Sequence, residues 1–355
     1  MKKFLPFAQK DYHRDVIAVD CYAKNAFNLS HWRGAPKIAA IHDDTSAQIT
    51  LHAIENKLPE IEADYVTCNH FDIDGFLGIW SVFNPELALE NRELIAEAAL
   101  IGDFRELSDD KNLALEALKL VCTINYLEQH HFYAPFAFKT REAQTCIEKF
   151  DYFLTHFSER FTNIQQYQKE WEKEFNLIIK HLEMFDQNCS NVYTENDLRL
   201  QIVETETPLH YYALFAGSRE CDMVLSLYNN NRYELECKYA TWVDTNRNSY
   251  PRIDLNFLAA KLNTMERSGL KWKADHFTDT GPILRLEKEK LTKEIRFDHP
   301  MNRPIYASSI KPDLFQRVVV DFFRKAYSGI TAKKWWSWQE IEQINSDLQP
   351  TLDSH

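Results

Sequence analysis

The residues best suited to chemistry lie in the short stretch HFDIDG at positions 70–75. A β-rich run precedes it and predicts a strand over 64–70. Alternate residues of an extended chain face the same side, so the side chains of His70, Asp72 and Asp74 can converge. Hard divalent cations prefer carboxylate oxygens, and Mn²⁺ also accepts imidazole nitrogen. The spacing therefore predicts a metal site. The alternative is that Asp74 caps the next helix and Asp72 hydrogen-bonds a loop.

A second acidic residue closes another apolar run. Residues 98–103 read AALIGD, which favours a short strand that ends on Asp103. The predicted strands and helices alternate: strands at 16–20, 37–41, 64–70 and 98–103, and helices at 46–57, 76–83 and 86–98. Such alternation is typical of an α/β fold with a mainly parallel sheet, where ligands bind at the carboxyl ends of strands. We therefore expect Asp103 to lie near Asp72 and Asp74.

Two loops after predicted strands carry further candidates. His31 and Asp44 would join the site if the order of the strands brings these loops beside His70. Otherwise they are surface residues. Near the carboxyl end, the tryptophans of the segment 335–338 can stack bases or pack a terminal helix onto its domain.

The segment 66–75, VTCNHFDIDG, resembles the first motif of the DHH phosphoesterase superfamily, the group of RecJ exonucleases and oligoribonucleases. In the RecJ-like branch an apolar strand leads into D-x-D-x-D-G and then a helix, and here His70 replaces the first aspartate. The resemblance implies that Asp72 and Asp74 bind Mn²⁺, with His70 as a further ligand or a neighbour of the ligands. It also implies that Asp103, as the second motif, bridges two metals.

The third motif of the superfamily, Asp-His-His, has one candidate here, Gln129-His130-His131. Glutamine replaces the aspartate, and a helix predicted over 111–129 precedes it instead of a strand. By resemblance His130 and His131 would stand in the catalytic site. The alternative is that they are surface groups at a helix end that interact with its dipole.

The second half of the chain resembles the substrate domain of the superfamily more loosely. It offers a β-hairpin over 222–236 and a helix over 253–262. A loop with one glycine then stands where relatives have a phosphate-holding glycine run. Arg267, Lys271 and Lys273 would supply the positive charge there, with Trp272 as a stacking face. The alternative is a solvated basic loop with one packed tryptophan.

These patterns divide the chain into four parts: a DHH-like α/β domain over 1–140, a helical connector over 141–188, a smaller α+β domain over 189–310, and a helical tail over 311–355. A competing site lies on the hairpin of the smaller domain. There Asp222, Glu236 and Lys238 match the pattern of restriction-type nucleases, in which two acids hold Mg²⁺ and a lysine orients water. The alternative is a sheet with alternating outward charges.

The composition of the chain limits the classes of partner and the compartment that we expect. The chain has 355 residues and a net charge of −12, so its mean field repels long duplex nucleic acid. Its 7 cysteines are scattered without a C-x-x-C pair, which indicates buried thiols in a reducing compartment and excludes a zinc ribbon. No apolar run is long enough to cross a membrane, and no signal peptide is evident, so we expect a cytoplasmic protein.

Together these observations predict a phosphoesterase that uses Mn²⁺ or Mg²⁺ and acts on a small phosphorylated compound or a short oligonucleotide. The changed third motif and the missing glycine run leave a second hypothesis open. Under that hypothesis the chain is a non-catalytic DHH-like protein that binds a nucleotide or a protein partner.

Overall fold

A computed structural model describes residues 2–7, 15–39, 41–132, 142–186 and 190–353. The chain divides into two units, with the division between Leu177 and Ile178. Within the described ranges, no helix has the length and apolar character needed to cross a bilayer. All the described cysteines are buried free thiols, as predicted, and Cys189 lies outside the described residues.

Unit 1 contains a small parallel sheet and seven helices among its described residues. The strands are β1 (Lys3–Pro6), β2 (Val16–Val19), β3 (Phe27–Leu29) and β4 (Tyr65–Cys68). The helices are α1 (Ser46–Glu55), α2 (Ile73–Phe83), α3 (Pro85–Glu90), α4 (Arg92–Phe104), α5 (Lys111–His131), α6 (Glu142–Thr162) and α7 (Gln168–Asp186), the last of which crosses the division.

The order of the strands in this sheet is β1-β4-β2-β3, and each pairing is parallel. All four residues of β2 are buried, as expected for a central strand with both faces covered. The predicted mainly parallel sheet is therefore confirmed for unit 1. Because all strands run the same way, the carboxyl ends of β4, β2 and β3 lie side by side at one edge.

Two predicted strands are wrong. Residues 98–103 belong to helix α4, whose buried residues Ile95, Ala98, Ile101 and Phe104 recur at the helical spacing of three. The described residues of 37–41 form no strand, and residue 40 lies outside the described ranges. The strand beside β2 at one edge of the sheet is instead the three-residue β3, which is too short to show a periodic pattern.

The expected connector over 141–188 is not a separate segment. The ring of Phe150 on α6 stacks on that of Phe4 on β1, with 4.3 Å between the ring centres. Farther along α6, Ser158 accepts a hydrogen bond of 2.9 Å from the indole of Trp80 on α2. Helix α6 is therefore part of the core of unit 1. Residues 141, 187 and 188 lie outside the described ranges.

Unit 2 contains a mixed sheet of six strands: β5 (Ser190–Glu195), β6 (Leu200–Thr205), β7 (Met223–Tyr228), β8 (Arg232–Cys237), β9 (Lys271–Ala274) and β10 (Ile283–Glu287). Its order is β5-β6-β7-β8-β10-β9. The helices of this unit are α8 (Tyr211–Leu214), α9 (Leu255–Met265), α10 (Lys293–Arg296), α11 (Pro312–Ala326) and α12 (Trp338–Asp353).

The predicted hairpin is confirmed, because β7 and β8 pair antiparallel. The expected helical tail over 311–355 is not separate from this domain. Phe315, Phe322 and Leu348 of its two helices are buried in one cluster with the apolar side chains of the sheet. The helices therefore complete the core of unit 2.

Gly102 on α4 lets that helix approach α2 closely. A Cβ atom at position 102 would stand 2.5 Å from the Cβ atom of Ile73, well inside van der Waals contact. Ile73 lies between Asp72 and Asp74, so this contact helps to fix the start of α2.

We predict that Gly102→Ala lowers the free energy of unfolding by about 1–3 kcal/mol, because the added methyl group overpacks the contact with Ile73. Urea denaturation of both proteins measures the change. Glycine to alanine inside a helix otherwise stabilises by about 1 kcal/mol, so the expected sign is opposite to that of helix propensity. A variant as stable as the original chain would show that the helices can move apart.

Candidate metal centre

Three strand ends of unit 1 bring together an aspartate and two histidines. Asp20 directly follows β2, His31 lies two residues after β3, and His70 lies two residues after β4. Because β2 lies between β4 and β3, Asp20 stands between the two histidines. Its backbone has a φ of 51°, a left-handed conformation that aspartate tolerates better than most residues.

His31 is held in one orientation by a backbone carbonyl. Its Nδ1 lies 2.6 Å from the carbonyl oxygen of Asp44, which can only accept, so Nδ1 carries the proton. Its Nε2 faces carboxylates, at 3.2 Å from Oδ1 of Asp20 and 3.8 Å from Oδ2 of both Asp74 and Asp103. A neutral His31 therefore points its lone pair at three carboxylates, as a metal ligand does.

His70 repeats this arrangement on the other side of Asp20. Its Nδ1 lies 2.7 Å from Oδ1 of Asn69, and its Nε2 lies 3.0 Å from Oδ2 of Asp72 and 3.2 Å from Oδ2 of Asp20. The two oxygens of Asp20 thus face different imidazoles. Oδ1 of Asp20 also accepts hydrogen bonds from the hydroxyl of Ser46 at 2.8 Å and the indole of Trp32 at 3.1 Å.

Helix capping, the alternative to metal binding, occurs together with the cluster, but Asp72 and not Asp74 caps the helix that follows. Asp72 is the N-cap of α2, and its Oδ1 accepts from the amide of Gly75 at 2.8 Å. The two oxygens of Asp74 accept from the amides of Ser46 and Ala47 at the start of α1, each at 2.8 Å. Ionised carboxylates have about four lone-pair sites, so each of these oxygens keeps one for a cation.

Asp103 reaches the cluster from α4 and not from a strand. Its Oδ2 is buried and has no hydrogen-bond partner in the described part of the chain. Burial and the charges of Asp72 and Asp20 raise the pKa of Asp103 to about 7, although His31 acts in the opposite direction. The expected proximity of Asp103 is therefore found, while the strand predicted to position it is not.

The other pKa values follow from the same crowding of charge. Burial acts to raise the pKa of Asp20, but hydrogen bonds from His31 and His70 outweigh it and hold that pKa below its ordinary value. Burial and the charge of Asp20 raise the pKa of Asp74. Burial lowers the pKa of His31, yet Asp20, Asp103 and Asp74 overcome this and raise it to about 10.

For His70, too, burial acts to lower the pKa, and the charge of Asp72 leads the effects that raise it well above the ordinary value. Raised pKa values at two histidines and two aspartates mean that protons balance the crowded carboxylates when no cation is present. Such a cluster can exchange those protons for metal ions.

Among the described residues, two groups of side chains have ligand atoms close enough together to hold a cation. The inner position is formed by Asp20, His31 and Asp74, all buried, and the outer position by Asp20, His70 and Asp72. The donor set of carboxylate oxygens and one imidazole at each position can hold a divalent cation. The unpartnered Oδ2 of Asp103 adds a further donor beside the inner position.

Gly75 allows the two aspartates of the outer position to come close. A Cβ atom there would stand 3.1 Å from Oδ1 of Asp72 and 3.2 Å from Oδ2 of Asp20. The glycine that ends the HFDIDG stretch thus makes room for the carboxylates around it.

His130 and His131 are not part of either group. They lie in the last turn of α5, where the ring of His130 stacks on Tyr126 and that of His131 contacts Tyr152. Both imidazoles are exposed. These surroundings agree with the alternative that both histidines are surface groups at the end of a helix.

The basic residues 267, 271 and 273 lie in unit 2. Lys273 forms an ion pair of 3.0 Å with Glu287, and Lys271 is exposed on β9. The guanidinium of Arg267 donates to the backbone oxygen of Thr264 at 2.9 Å. Trp272 cannot serve as a stacking face, because it is 1% exposed and stacks on Phe315 in the core.

The three residues of the nuclease pattern have separate partners. Asp222 pairs with Arg199 at 3.1 Å, and Glu236 pairs with Arg303 at 3.1 Å. The ammonium group of Lys238 donates to backbone oxygens of residues 218 and 219. They form no group of candidate metal ligands within the described residues.

The tryptophans of 335–338 have different environments. The indole of Trp336 donates to the backbone oxygen of Ser249 at 2.9 Å, which favours the packing alternative for this residue. Trp335 is 43% exposed.

Sequence reasoning missed Asp20, although it predicted the strand that ends on this residue. The available signal was an apolar run closed by an acid, the same signal that pointed to Asp103. His31 was expected to join the site only if the order of the strands placed it beside His70, and the structure meets this condition. Asp44 contributes its backbone carbonyl, and its carboxylate belongs to neither cation group.

Comparisons with known proteins show the family of the chain. A family model described as "Family of unknown function (DUF6687)" matches residues 1–334. No curated protein and no solved structure matches the chain. Because the match covers most of the sequence, the chain belongs to the DUF6687 family.

Proposed function

We propose that this protein is a metal-dependent hydrolase of phosphate esters. One observation carries the proposal: the carboxylate of Asp20 lies between two imidazoles, each with its Nε2 directed at a different oxygen of that carboxylate. In this arrangement Asp20 is shared by two neighbouring cation positions. Paired cations of this kind occur in phosphatases, nucleases and aminopeptidases.

Mn²⁺ or Mg²⁺ at these positions would supply an activated water and positive charge for the phosphoryl oxygens of a substrate. The side chains of the outer position reach solvent, with His70 31% and Asp72 40% exposed. A substrate phosphate therefore approaches from this side. At the inner position the buried Asp20, His31 and Asp74 exclude water and fix the geometry.

Asp103 is suited to complete the inner position. Its Oδ2 lies 3.8 Å from Nε2 of His31 and has no hydrogen-bond partner in the described part of the chain. Asp103 would thus turn this oxygen toward a cation at the inner position, in keeping with the metal-binding role that the resemblance implies for it.

Two features favour a phosphate ester over other substrates of paired-metal enzymes. The segment 66–75 resembles the first motif of the DHH phosphoesterases, and the net charge of −12 disfavours long polyanions. We therefore propose a small phosphorylated compound or a short oligonucleotide as substrate. The binding of phosphate by Arg267, Lys271 and Lys273 of unit 2 stays a prediction from the sequence.

A second candidate function is binding without catalysis. The observation that favours it is that Asp72 and Asp74 already accept hydrogen bonds from the amino ends of two helices. In such a protein the cluster would stabilise the edge of the sheet, and a nucleotide or protein partner would bind without turnover.

We predict that His31→Gln lowers the Mn²⁺-dependent hydrolysis of phosphodiesters by about 100-fold or more in kcat/KM, because loss of a ligand costs at least as much as loss of a group that orients one. Generic phosphodiesters, pyrophosphate and dinucleotides serve as substrates. His52→Gln is the matched control, since His52 contacts Asp43 and Arg92 and belongs to neither cation group.

The control variant should retain the activity of the original chain. Equal activity in His31→Gln and the original chain would contradict the proposed metal centre. Metal binding without hydrolysis of any of these substrates after long incubation would favour the binding protein.

We also predict that the affinity for Mn²⁺ rises with pH between about 6 and 8, roughly tenfold per pH unit for each proton displaced. The pKa of His31 is raised to about 10, so its Nε2 holds a proton throughout this range that a cation must displace. Calorimetric titration in buffers of different ionisation enthalpy counts the released protons. His31→Gln should release about one proton fewer, and an affinity independent of pH would refute this prediction.

A further inference from the structure

The two histidines of the metal centre are oriented by different kinds of acceptor. His31 donates from Nδ1 to a backbone oxygen, that of Asp44. His70 donates from Nδ1 to a side-chain oxygen, Oδ1 of Asn69. A backbone acceptor survives any substitution at its own position, whereas the acceptor of His70 can be removed by a single mutation.

We infer that Asn69 is a positioning residue for the outer cation position. This inference rests on the proposed metal centre and adds the residue that sets its outer half. The amide oxygen of Asn69 is engaged by Nδ1 of His70 at 2.7 Å. It acts through His70, by fixing which ring nitrogen carries the proton.

The geometry determines which nitrogen of His70 faces a cation. With the amide oxygen of Asn69 at 2.7 Å, Nδ1 of His70 keeps a proton. Nε2 donates to the carboxylates of Asp20 and Asp72 when no cation is bound and would present its lone pair to a bound cation. If Nδ1 lost its acceptor, the single proton of the neutral ring could instead stay on Nε2, which then could not bind a cation. The other neighbour of Nδ1 is Sγ of Cys68 at 3.7 Å, which is a weak acceptor.

Because Asn69 is exposed and its amide oxygen points at the ring of His70, its replacement removes the acceptor without opening the core. Loss of a hydrogen bond that orients a metal-binding histidine typically weakens metal binding by about 10–100-fold. The loss should fall on the outer position, because His31 keeps its own acceptor.

The experiment compares Asn69→Leu, which has a similar size and no acceptor, with Asn69→Asp, which keeps an oxygen at the same place. Calorimetric titration with Mn²⁺ gives the number of bound ions and the affinity of each. We expect two ions in the original chain, one of them bound about 10–100-fold more weakly in Asn69→Leu. We expect no weakening in Asn69→Asp. Thermal unfolding without metal shows that both variants remain folded.

Asn69→Asp adds negative charge as well as keeping an acceptor, so its affinity for Mn²⁺ does not isolate the effect of the acceptor. The tautomer of His70 is therefore measured directly. Nitrogen NMR of histidine-labelled protein loaded with Mg²⁺ should show His70 protonated on Nδ1 in the original chain. In Asn69→Leu a population protonated on Nε2 should appear.

The outcomes separate this inference from the proposed function. Affinities in Asn69→Leu equal to those of the original chain overturn the role of Asn69 while the metal centre stands. Equal weakening of both ions overturns a role confined to the outer position. Failure of the original chain to bind Mn²⁺ overturns the proposed function, and the role of Asn69 with it.

Discussion

The main constraint in unit 1 is the crowding of negative charge at one edge of its parallel sheet. Asp20, at the end of the central strand β2, is shared by two histidines from the strands on either side. Two helices begin at the same edge and direct their amino ends at Asp72 and Asp74. Parallel strands, helix starts and acidic side chains thus meet at one place, as they do in α/β proteins that bind ligands at strand ends.

Such crowding has an energetic cost that the helices offset only in part. Helix amino ends favour a nearby carboxylate by about 0.3–1 kcal/mol each at exposed sites and somewhat more when buried. Burial and the charges of the neighbouring carboxylates act against this gain, which is why the pKa values of Asp74 and Asp103 rise. The folded chain therefore holds protons that it would release to divalent cations. The proposed metal binding would therefore be linked to stability through the same side chains.

The sequence predicts part of this site, because only some of its residues belong to a pattern within one short segment. The stretch 70–75 shows its chemistry through alternate spacing, and the structure places it after β4 as predicted. Asp20 and His31 depend on the order β4-β2-β3, which no local pattern encodes. Residues 98–103 were misread because a short apolar run suits a strand as well as a buried helix. The side chain of Asp103 nevertheless reaches the cluster, since α4 packs closely on α2 at Gly102.

The buried acids of the two units have different kinds of partner. In unit 2, Arg303 donates to Glu234 at 2.8 Å and to Glu236 at 3.1 Å. Arginine stays charged at every physiological pH and offers no lone pair, so this network is closed to a cation. In unit 1 the partners are histidines, which give up a proton and then present a lone pair. The Nδ1 atoms of both histidines already have acceptors. Nε2 is therefore the atom at which a cation can replace a proton beside the acids of unit 1.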